Sequence, residues 1–224
     1  MITNVSFDLW LTLIKSHPLF KKRRAELIVD KYNPQGLTSS RIEDVTRECD
    51  KIFDRYNEMT GKKIPASEMY LKVIRKVGFD SGDIKMKDAK RLEEESDVLF
   101  LEYMPELLNN DIHQTLSKLV ENGLSLNVAS NTGYIESQTL RKALQKMDLL
   151  KYFSFQIFSD EVNASKPSPI FFQEVLNNAR VNKNQILHVG DNAKTDYKGA
   201  SNFGFSAFLI TNNNYTFDDI ARRL

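Results

Sequence analysis

Hydrophobic and polar residues follow two different patterns along the chain, and the change falls near Pro105. Between about residues 16 and 106 the apolar residues recur at the spacing of an α-helix, among many charged residues. Examples of this spacing are Leu19, Phe20, Leu27 and Ile28, and further on Tyr70, Leu71, Val73 and Ile74. No strand-type alternation interrupts this pattern. The segment therefore predicts a bundle of helices.

After Pro105 the pattern alternates between helix and strand. Short apolar runs predict strands at 124–129, 155–158, 186–189 and 206–210, and one more before Asp8 at residues 2–7. Amphipathic stretches between them predict helices at 111–121, 136–147, 169–179 and 195–203. Such alternation is typical of βαβ units, which form a parallel sheet with helices on both faces.

These two patterns predict an α/β fold with a doubly wound parallel sheet and an inserted helical domain. The first strand has to join the sheet across the helical segment. We therefore expect a core domain made of residues 1–14 and 107–224, and a helical cap domain made of residues 15–106. The length of 224 residues fits this division, because it lies between one and two domains of about 150 residues.

Composition narrows the class of protein. The chain has 31 Lys and Arg against 30 Asp and Glu, a net charge of +1, so no basic surface predicts a nucleic-acid or membrane partner. The single cysteine, Cys49, excludes an internal disulfide and a cysteine-built zinc site. No signal peptide or membrane-spanning run is visible, so we expect a cytoplasmic protein. Monomer and homodimer remain equally open.

Candidate chemistry lies where the predicted strands end. Asp8 follows the first strand, Ser130 the second, and Asp191 the fourth, while Lys166 lies in the loop after the third. In open α/β sheets the carboxyl ends of the strands form the ligand site. Carboxylates there can act as nucleophiles and as oxygen ligands of magnesium, and Ser and Lys can hold phosphoryl oxygens. Helix caps and turns also favour Asp and Ser, which is the plainer alternative.

The residues resemble, in order, the four motifs of the haloacid dehalogenase-like (HAD) superfamily. The first motif, Asp-x-Asp-x-Thr, is matched at two of its positions, and the second and third are single residues. The fourth, Gly-Asp-x-x-x-x-Asp, is matched in full. The matching residues are Asp8 and Thr12, then Ser130, then Lys166, then Gly190, Asp191 and Asp196. The resemblance covers the whole chain, because this family inserts a helical cap after its first motif.

The resemblance implies roles for these residues. Asp8 would attack the substrate and form an aspartyl intermediate, with Ser130 and Lys166 as further catalytic residues. The phosphate-binding residues implied are Thr12, Ser130, Asn131 and Lys166. The Mg²⁺ ligands implied are Asp8, the backbone carbonyl of Trp10, Asp191 and Asp196, the last either directly or from the outer shell. Lys166 would also screen Asp8 from Asp191, because two close carboxylates repel.

Trp10 departs from the family pattern. Phosphatases of this family carry there an Asp that protonates the leaving group, and an indole cannot do so. Losing a general acid typically costs about 10²- to 10⁴-fold in rate. The substrate could have a leaving group that needs no proton, such as an acyl phosphate. Alternatively another residue supplies the acid, with His17 as the nearest candidate, or the bond cleaved is not a phosphoester.

Three functions therefore stay open. The first is a Mg²⁺-dependent phosphatase for a small phosphorylated metabolite. The second is a metal-independent 2-haloacid dehalogenase, because those family members carry an aromatic residue where Trp10 stands; the acidic residue Asp191 opposes it. The third is a non-catalytic protein that binds a phosphorylated ligand.

Overall fold

The computed structural model describes residues 1–78 and 84–224. The strands of this part are β1 (Asn4–Phe7), β2 (Ile14–Lys15), β3 (Glu106–Leu107), β4 (Ser125–Ser130), β5 (Phe155–Phe158), β6 (Ile186–Gly190) and β7 (Ser206–Leu209). The helices are α1 (Phe20–Lys31), α2 (Ser39–Thr60), α3 (Ala66–Lys76), α4 (Met86–Glu102), α5 (Ile112–Glu121), α6 (Ser137–Lys146), α7 (Ser159–Val162), α8 (Pro169–Ala179), α9 (Gly199–Phe203) and α10 (Phe217–Ala221). Short 3₁₀ turns precede β5 and β6.

A five-stranded parallel sheet forms the centre of the molecule, in the order β5-β4-β1-β6-β7. This arrangement confirms the predicted α/β class. The first strand is the middle one, and Phe7 pairs in register with Val128 of β4 and Val189 of β6. The residues that follow these three strands therefore meet at one edge of the sheet, as the sequence predicts.

Burial on both faces explains the apolar character of these strands, because helices cover each side. Every residue of β1 is buried, including the polar Asn4 and Ser6. Asn127 of β4 donates a hydrogen bond from Nδ2 to Ser6 Oγ at 2.9 Å. Ser6 and Asn127, at paired positions of two neighbouring strands, thus form a polar contact inside the sheet.

Helices α1 to α4 pack around an apolar cluster of their own. Its fully buried members include Ile28, Ile42, Tyr70, Val73 and Leu92. Thr38 caps α2 by accepting a hydrogen bond at Oγ1 from Arg41 N, and Gly61 ends the helix in the left-handed conformation. Local capping and an amphipathic pattern together define this 22-residue helix.

Strands β2 and β3 form a small antiparallel ribbon that sequence patterns did not predict. Ile14 pairs with Leu107, and Lys15 pairs with Glu106. Two-residue strands are too short to show an alternating pattern, so only their pairing reveals them. The ribbon lies where the chain enters and leaves the helical segment, and a division into domains at residues 15 and 106 remains our proposal.

The segment after β6 also differs from the prediction of one helix over 195–203. Residues Ala193–Lys198 form a π-helical turn, and α9 begins only at Gly199. Asn192 starts the turn, because its Oδ1 accepts hydrogen bonds from the backbone N–H groups of Lys194 and Thr195. Such wide turns are often found at functional sites. Among the described residues, no helix has the length and apolar content needed to cross a membrane.

Candidate active site

The edge of the sheet that follows β1, β4 and β6 opens into a cavity of about 340 Å³. The sequence-predicted residues Asp8, Trp10, Ser130, Asn131, Lys166, Asp191 and Asp196 all line it. Thr12 does not line the cavity; it is fully buried, and its Oγ1 lies 3.5 Å from Asp8 Oδ2. The structure therefore brings into one place residues that are up to 188 positions apart in the chain, the separation of Asp8 and Asp196.

Lys166 is the centre of this arrangement. Its Nζ lies 2.7 Å from Asp8 Oδ1 and 2.7 Å from Asp196 Oδ1, and it donates a hydrogen bond to the carbonyl of Ala129 at 2.8 Å. An ammonium group has three donors, and each has an acceptor here. The residue is 1% exposed. A fully buried cation thus joins the two carboxylates.

The Asn131 side chain holds the backbone of Lys166 in place. Its Oδ1 accepts a hydrogen bond from Lys166 N at 2.7 Å, and its Nδ2 donates to Lys166 O at 3.0 Å. Both ends of the amide are therefore engaged by the loop. The Ser130 hydroxyl, by contrast, makes only a 3.2 Å hydrogen bond to the carbonyl of Asn131.

A chain of hydrogen bonds positions Asp196 from behind. His188 of β6 lies with Nε2 3.3 Å from Asp196 Oδ1 and with Nδ1 3.2 Å from Ser6 Oγ. Burial lowers the pKa of His188, so the imidazole is neutral at pH 7. With its proton on Nε2 it donates to Asp196 and accepts from Ser6, which in turn accepts from Asn127.

Gly190 allows this close packing. A Cβ atom at position 190 would lie 2.4 to 2.6 Å from the carboxyl and Cβ atoms of Asp196. The other oxygen of Asp196, Oδ2, accepts a hydrogen bond from Asn192 N at 3.0 Å. Both Asp196 oxygens are consequently occupied by protein donors.

The protonation states follow from burial and from the ion pairs. Burial raises the pKa of Asp8, and the neighbouring Lys166 charge opposes that shift. Burial also acts to raise the pKa of Asp196, but Lys166 and the His188 hydrogen bond outweigh it and leave the pKa well below its ordinary value. Burial acts to lower the pKa of Lys166, yet the two carboxylates raise it overall. The lysine is therefore charged and Asp196 is ionised at neutral pH.

Three carboxylates could hold a metal ion. One oxygen atom each of Asp8, Asp191 and Asp196 lies within 4.8 Å of the others. Burial raises the pKa of Asp191 to about 6, and the charges of Asp8 and Asp196 add to this effect. A divalent cation would relieve that repulsion, and hard oxygen donors suit Mg²⁺. Asp196 is engaged on both oxygens, and Asp8 is engaged by Lys166 and, at 3.5 Å, by Thr12, so Asp191 has the fewest hydrogen-bond partners of the three among the described residues. The residues present therefore fit the ion.

Trp10 forms part of the wall beside Asp8. Its indole is partly buried and packs edge-on against Phe100 of α4, with ring centroids 6.1 Å apart. His17 does not line this cavity; its Nδ1 accepts a hydrogen bond from Leu19 N, and its ring faces Tyr103. The structure thus gives no support to His17 as a source of the acid.

Helix α2 supplies three cavity residues that the sequence did not single out: Asp54, Asn57 and Glu58. Their i, i+3, i+4 spacing places them on one face of the helix. Glu58 forms an ion pair with Lys194, which follows β6, with 2.6 Å between Lys194 Nζ and Glu58 Oε2. Asn57 is buried, and its Oδ1 has no hydrogen-bond partner among the described residues. In the sequence, the polar residues of this helix face are indistinguishable from those of a face exposed to solvent. No local pattern therefore predicts that they line the cavity.

Comparison with known proteins identifies the class. The family model described as haloacid dehalogenase-like hydrolase matches residues 5–210, and the chain belongs to this family of hydrolases. The fold agrees with a proposed HAD-hydrolase of Bacillus subtilis whose crystal structure contains bound magnesium. That structure superposes with a TM-score of 0.71 at 18% identity, covering 93% of this chain and 88% of the other.

Curated relatives differ in what they do. Haloacid dehalogenase-like hydrolase domain-containing protein 3 of Bos taurus is 34% identical over 43% of this chain and 37% of its own length. The (S)-2-haloacid dehalogenase 2 of a Pseudomonas species is 26% identical over 63% of this chain and 58% of its own length. Ribulose-1,5-bisphosphate 5-phosphatase of Halopiger xanaduensis is 26% identical over 67% of this chain and 61% of its own length. The matches span only about two fifths of the length of the first relatives. These relatives therefore share the family with this chain, but they do not identify its reaction.

Proposed function

We propose that this hydrolase is a Mg²⁺-dependent phosphatase that acts on a small phosphorylated metabolite through an aspartyl phosphate at Asp8. The observation that carries the proposal is the ion pair of Lys166 with both Asp8 and Asp196, next to the carboxylate of Asp191. The charge of the buried lysine opposes the rise that burial gives the pKa of Asp8, which favours the ionised nucleophile. A curated phosphatase and a curated dehalogenase both occur among the relatives, so the site chemistry decides the preference.

In the proposed reaction an Asp8 carboxylate oxygen attacks phosphorus, and the bond between phosphorus and the leaving oxygen breaks. The hydroxyl of Ser130 binds a phosphoryl oxygen, and the positive charge of Lys166, whose three N–H groups are engaged by Asp8, Asp196 and Ala129, offsets the phosphoryl charge through space. Water then attacks the phosphorus of the aspartyl phosphate, which releases inorganic phosphate and restores Asp8. Mg²⁺, held by Asp8, Asp191 and the Trp10 carbonyl, would supply positive charge for the phosphoryl oxygens.

The leaving oxygen of a phosphate ester needs a proton, and Trp10 cannot supply one. We assign that role to Asp54, a cap carboxylate on the same cavity wall. Partial desolvation at the cavity wall and the neighbouring Glu58 charge raise the pKa of Asp54, although its side chain remains solvent-exposed, and this direction favours protonation. An acyl phosphate would need no such acid, because its leaving group is an already stable carboxylate.

The test is phosphate release from a panel of phosphate esters and acyl phosphates, with magnesium and with EDTA. We expect turnover with magnesium, its loss in EDTA, and no turnover by the Asp8→Asn variant. Asp44→Asn, on the exposed side of α2, is the matched control and should behave like the unmodified protein. Activity that persists in EDTA would contradict the proposed requirement for Mg²⁺. Activity of the Asp8→Asn variant would contradict the proposed aspartyl phosphate.

A second candidate is a metal-independent 2-haloacid dehalogenase. Trp10 favours it, because an aromatic wall beside Asp8 suits the release of a halide, which takes no proton. Asp191 opposes it, since an extra carboxylate repels an anionic haloacid. Halide release from 2-haloacids in EDTA would establish this function in place of the phosphatase. A third candidate, non-catalytic ligand binding, predicts that beryllofluoride with magnesium binds while no substrate turns over.

A further inference from the structure

A second cavity lies on the other side of Trp10, between α1 and the loop after β4. Its volume is about 170 Å³, several times the roughly 30 Å³ that one water occupies in the liquid. Trp10 and Gly133 line both this cavity and the active-site cavity. The two cavities therefore adjoin at Trp10 and Gly133, and Trp10 is the residue in which this chain departs from the phosphatase pattern.

Arg24 of α1 is the unusual residue of this second cavity. It is only 6% exposed, and among residues 1–78 and 84–224 no carboxylate forms an ion pair with its guanidinium. The guanidinium carbon instead lies 4.6 Å from the ring centroid of Tyr134 and 5.3 Å from that of Phe20. Asp50, on the same cavity wall, stabilises the charged guanidinium through space without a direct ion pair. Stacking on rings therefore leaves in-plane N–H donors of Arg24 without a carboxylate acceptor, and such donors can bind an anionic ligand.

Other residues of the cavity wall also favour an anionic ligand. Tyr134 lines the cavity, is 5% exposed, and its hydroxyl has no hydrogen-bond partner in the described part of the chain. Lys21 adds a second positive charge to the wall, while Asp50 is the carboxylate that partly offsets the two. The wall as a whole therefore carries an excess of positive charge and an unused hydroxyl donor. Both features suit an anionic group with several oxygen atoms.

We propose that this cavity binds a second anionic group of the substrate, a carboxylate or a second phosphate, while the first phosphoryl group lies at Asp8. The inference rests on the proposed phosphatase function and names its substrate class: small molecules with negative charge at both ends. Trp10 then has a positive role, since its indole forms the surface along which the linking carbon chain lies. Selectivity comes from Arg24, because a planar guanidinium binds carboxylate and phosphate oxygens in pairs.

The test compares non-hydrolysable probes that differ only at their far end. Alkylphosphonates, ω-phosphonocarboxylates and alkyl bisphosphonates of increasing chain length are titrated calorimetrically into the protein with magnesium. We expect the probes with an anionic far end to bind about tenfold more tightly than the alkylphosphonate of the same length. A carboxylate preference and a bisphosphonate preference distinguish the two sources of the second charge, and either supports the subsite. Equal affinity at every chain length would overturn it.

Variants assign the effect to Arg24. Arg24→Met should abolish the preference, whereas Arg23→Met should keep it, because Arg23 is exposed and paired with Glu26 outside the cavity. Arg24→Lys keeps the charge and the fold but loses the paired donors, so it should reduce the preference even if Arg24→Met does not fold. A preference that persists unchanged in a folded Arg24 variant would contradict the assignment. Phosphate-ester hydrolysis without any preference would refute the subsite alone; a preference without hydrolysis would refute the phosphatase alone.

Discussion

Lys166 Nζ lies 2.7 Å from Asp8 Oδ1, although the two residues are 158 positions apart in the chain. Asp8 directly follows the central strand of the sheet, and Lys166 reaches it from the loop between α7 and α8. The same ammonium group contacts Asp196, so one buried cation compensates two buried carboxylates. The contact therefore compensates buried charge in the folded protein, and the proposed reaction uses the same contact.

Replacing Lys166 by Met should reduce both stability and activity. The change leaves Asp8 and Asp196 buried without their cation, and breaking a buried pair in this way typically costs about 3–5 kcal/mol. Urea denaturation measures the free energy of unfolding, and phosphate release measures turnover. Lys151→Met is the control, since that exposed lysine pairs with Asp148 and should change stability by less than about 1 kcal/mol. Equal effects of the two variants would contradict the prediction.

Gly190→Ala should disturb the site through Asp196. The added Cβ would lie 2.4 to 2.6 Å from atoms of the Asp196 side chain, so the carboxylate has to move away from Lys166 and His188. We expect turnover to fall about tenfold or more and stability to fall by about 1–3 kcal/mol. Gly133→Ala, whose Cβ would meet nothing within 4 Å, is the matched control for stability. An unchanged Gly190→Ala variant would show that the Asp196 position is not critical.

Trp10→Asp should restore a general acid beside Asp8. We expect the rate for alkyl phosphates to rise relative to the rate for acyl phosphates, toward the roughly 10²- to 10⁴-fold that such an acid contributes. Loss of the contact with Phe100 should lower stability at the same time. Trp10→Phe keeps an aromatic ring and should leave the ratio of the two rates unchanged. If the ratio is the same in all three proteins, protonation of the leaving group does not limit turnover.

Asp50 should make stability depend on pH. Burial raises its pKa from 3.8 to about 6, with a further contribution from Asp54, while Arg24 acts in the opposite direction. An acid whose pKa is higher in the folded state binds more protons when folded, so the free energy of unfolding falls as pH rises from about 4 to 6. The shift corresponds to at most about 3 kcal/mol. Asp50→Asn should lose this fall.

Urea denaturation at about pH 4.5 and about pH 7.5 tests this dependence. The unmodified protein should lose more stability between the two pH values than Asp50→Asn does. Asp44→Asn, the exposed control on the same helix, should follow the unmodified protein. Identical behaviour of all three would show that Asp50 does not titrate in this range. The same Asp50→Asn variant should bind doubly anionic probes more tightly, because it removes a carboxylate that lies beside Arg24 on the cavity wall.

The sequence by itself determined the order and type of the main elements and the residues at the strand ends. Hydrophobic period and turn residues are local signals, and the predicted helix at 169–179 and strand at 155–158 match the structure residue for residue. The motif residues Asp8 and Lys166 could likewise be named in advance. Parallel strands end at one edge of their sheet, so their meeting there was predictable as well.

Only the tertiary structure decided how each group is used. Asp191 and Asp196 both belong to the fourth motif, yet Asp196 has both oxygens engaged by Lys166, His188 and Asn192, whereas no side-chain hydrogen bond or ion pair of Asp191 occurs among the described residues. The roles that we propose for Asp54 and Arg24 were hidden for the same reason. The environment of such residues depends on side chains that are distant in the sequence. Burial and pairing between distant segments produce no periodic pattern in the sequence, so they could not be predicted from it.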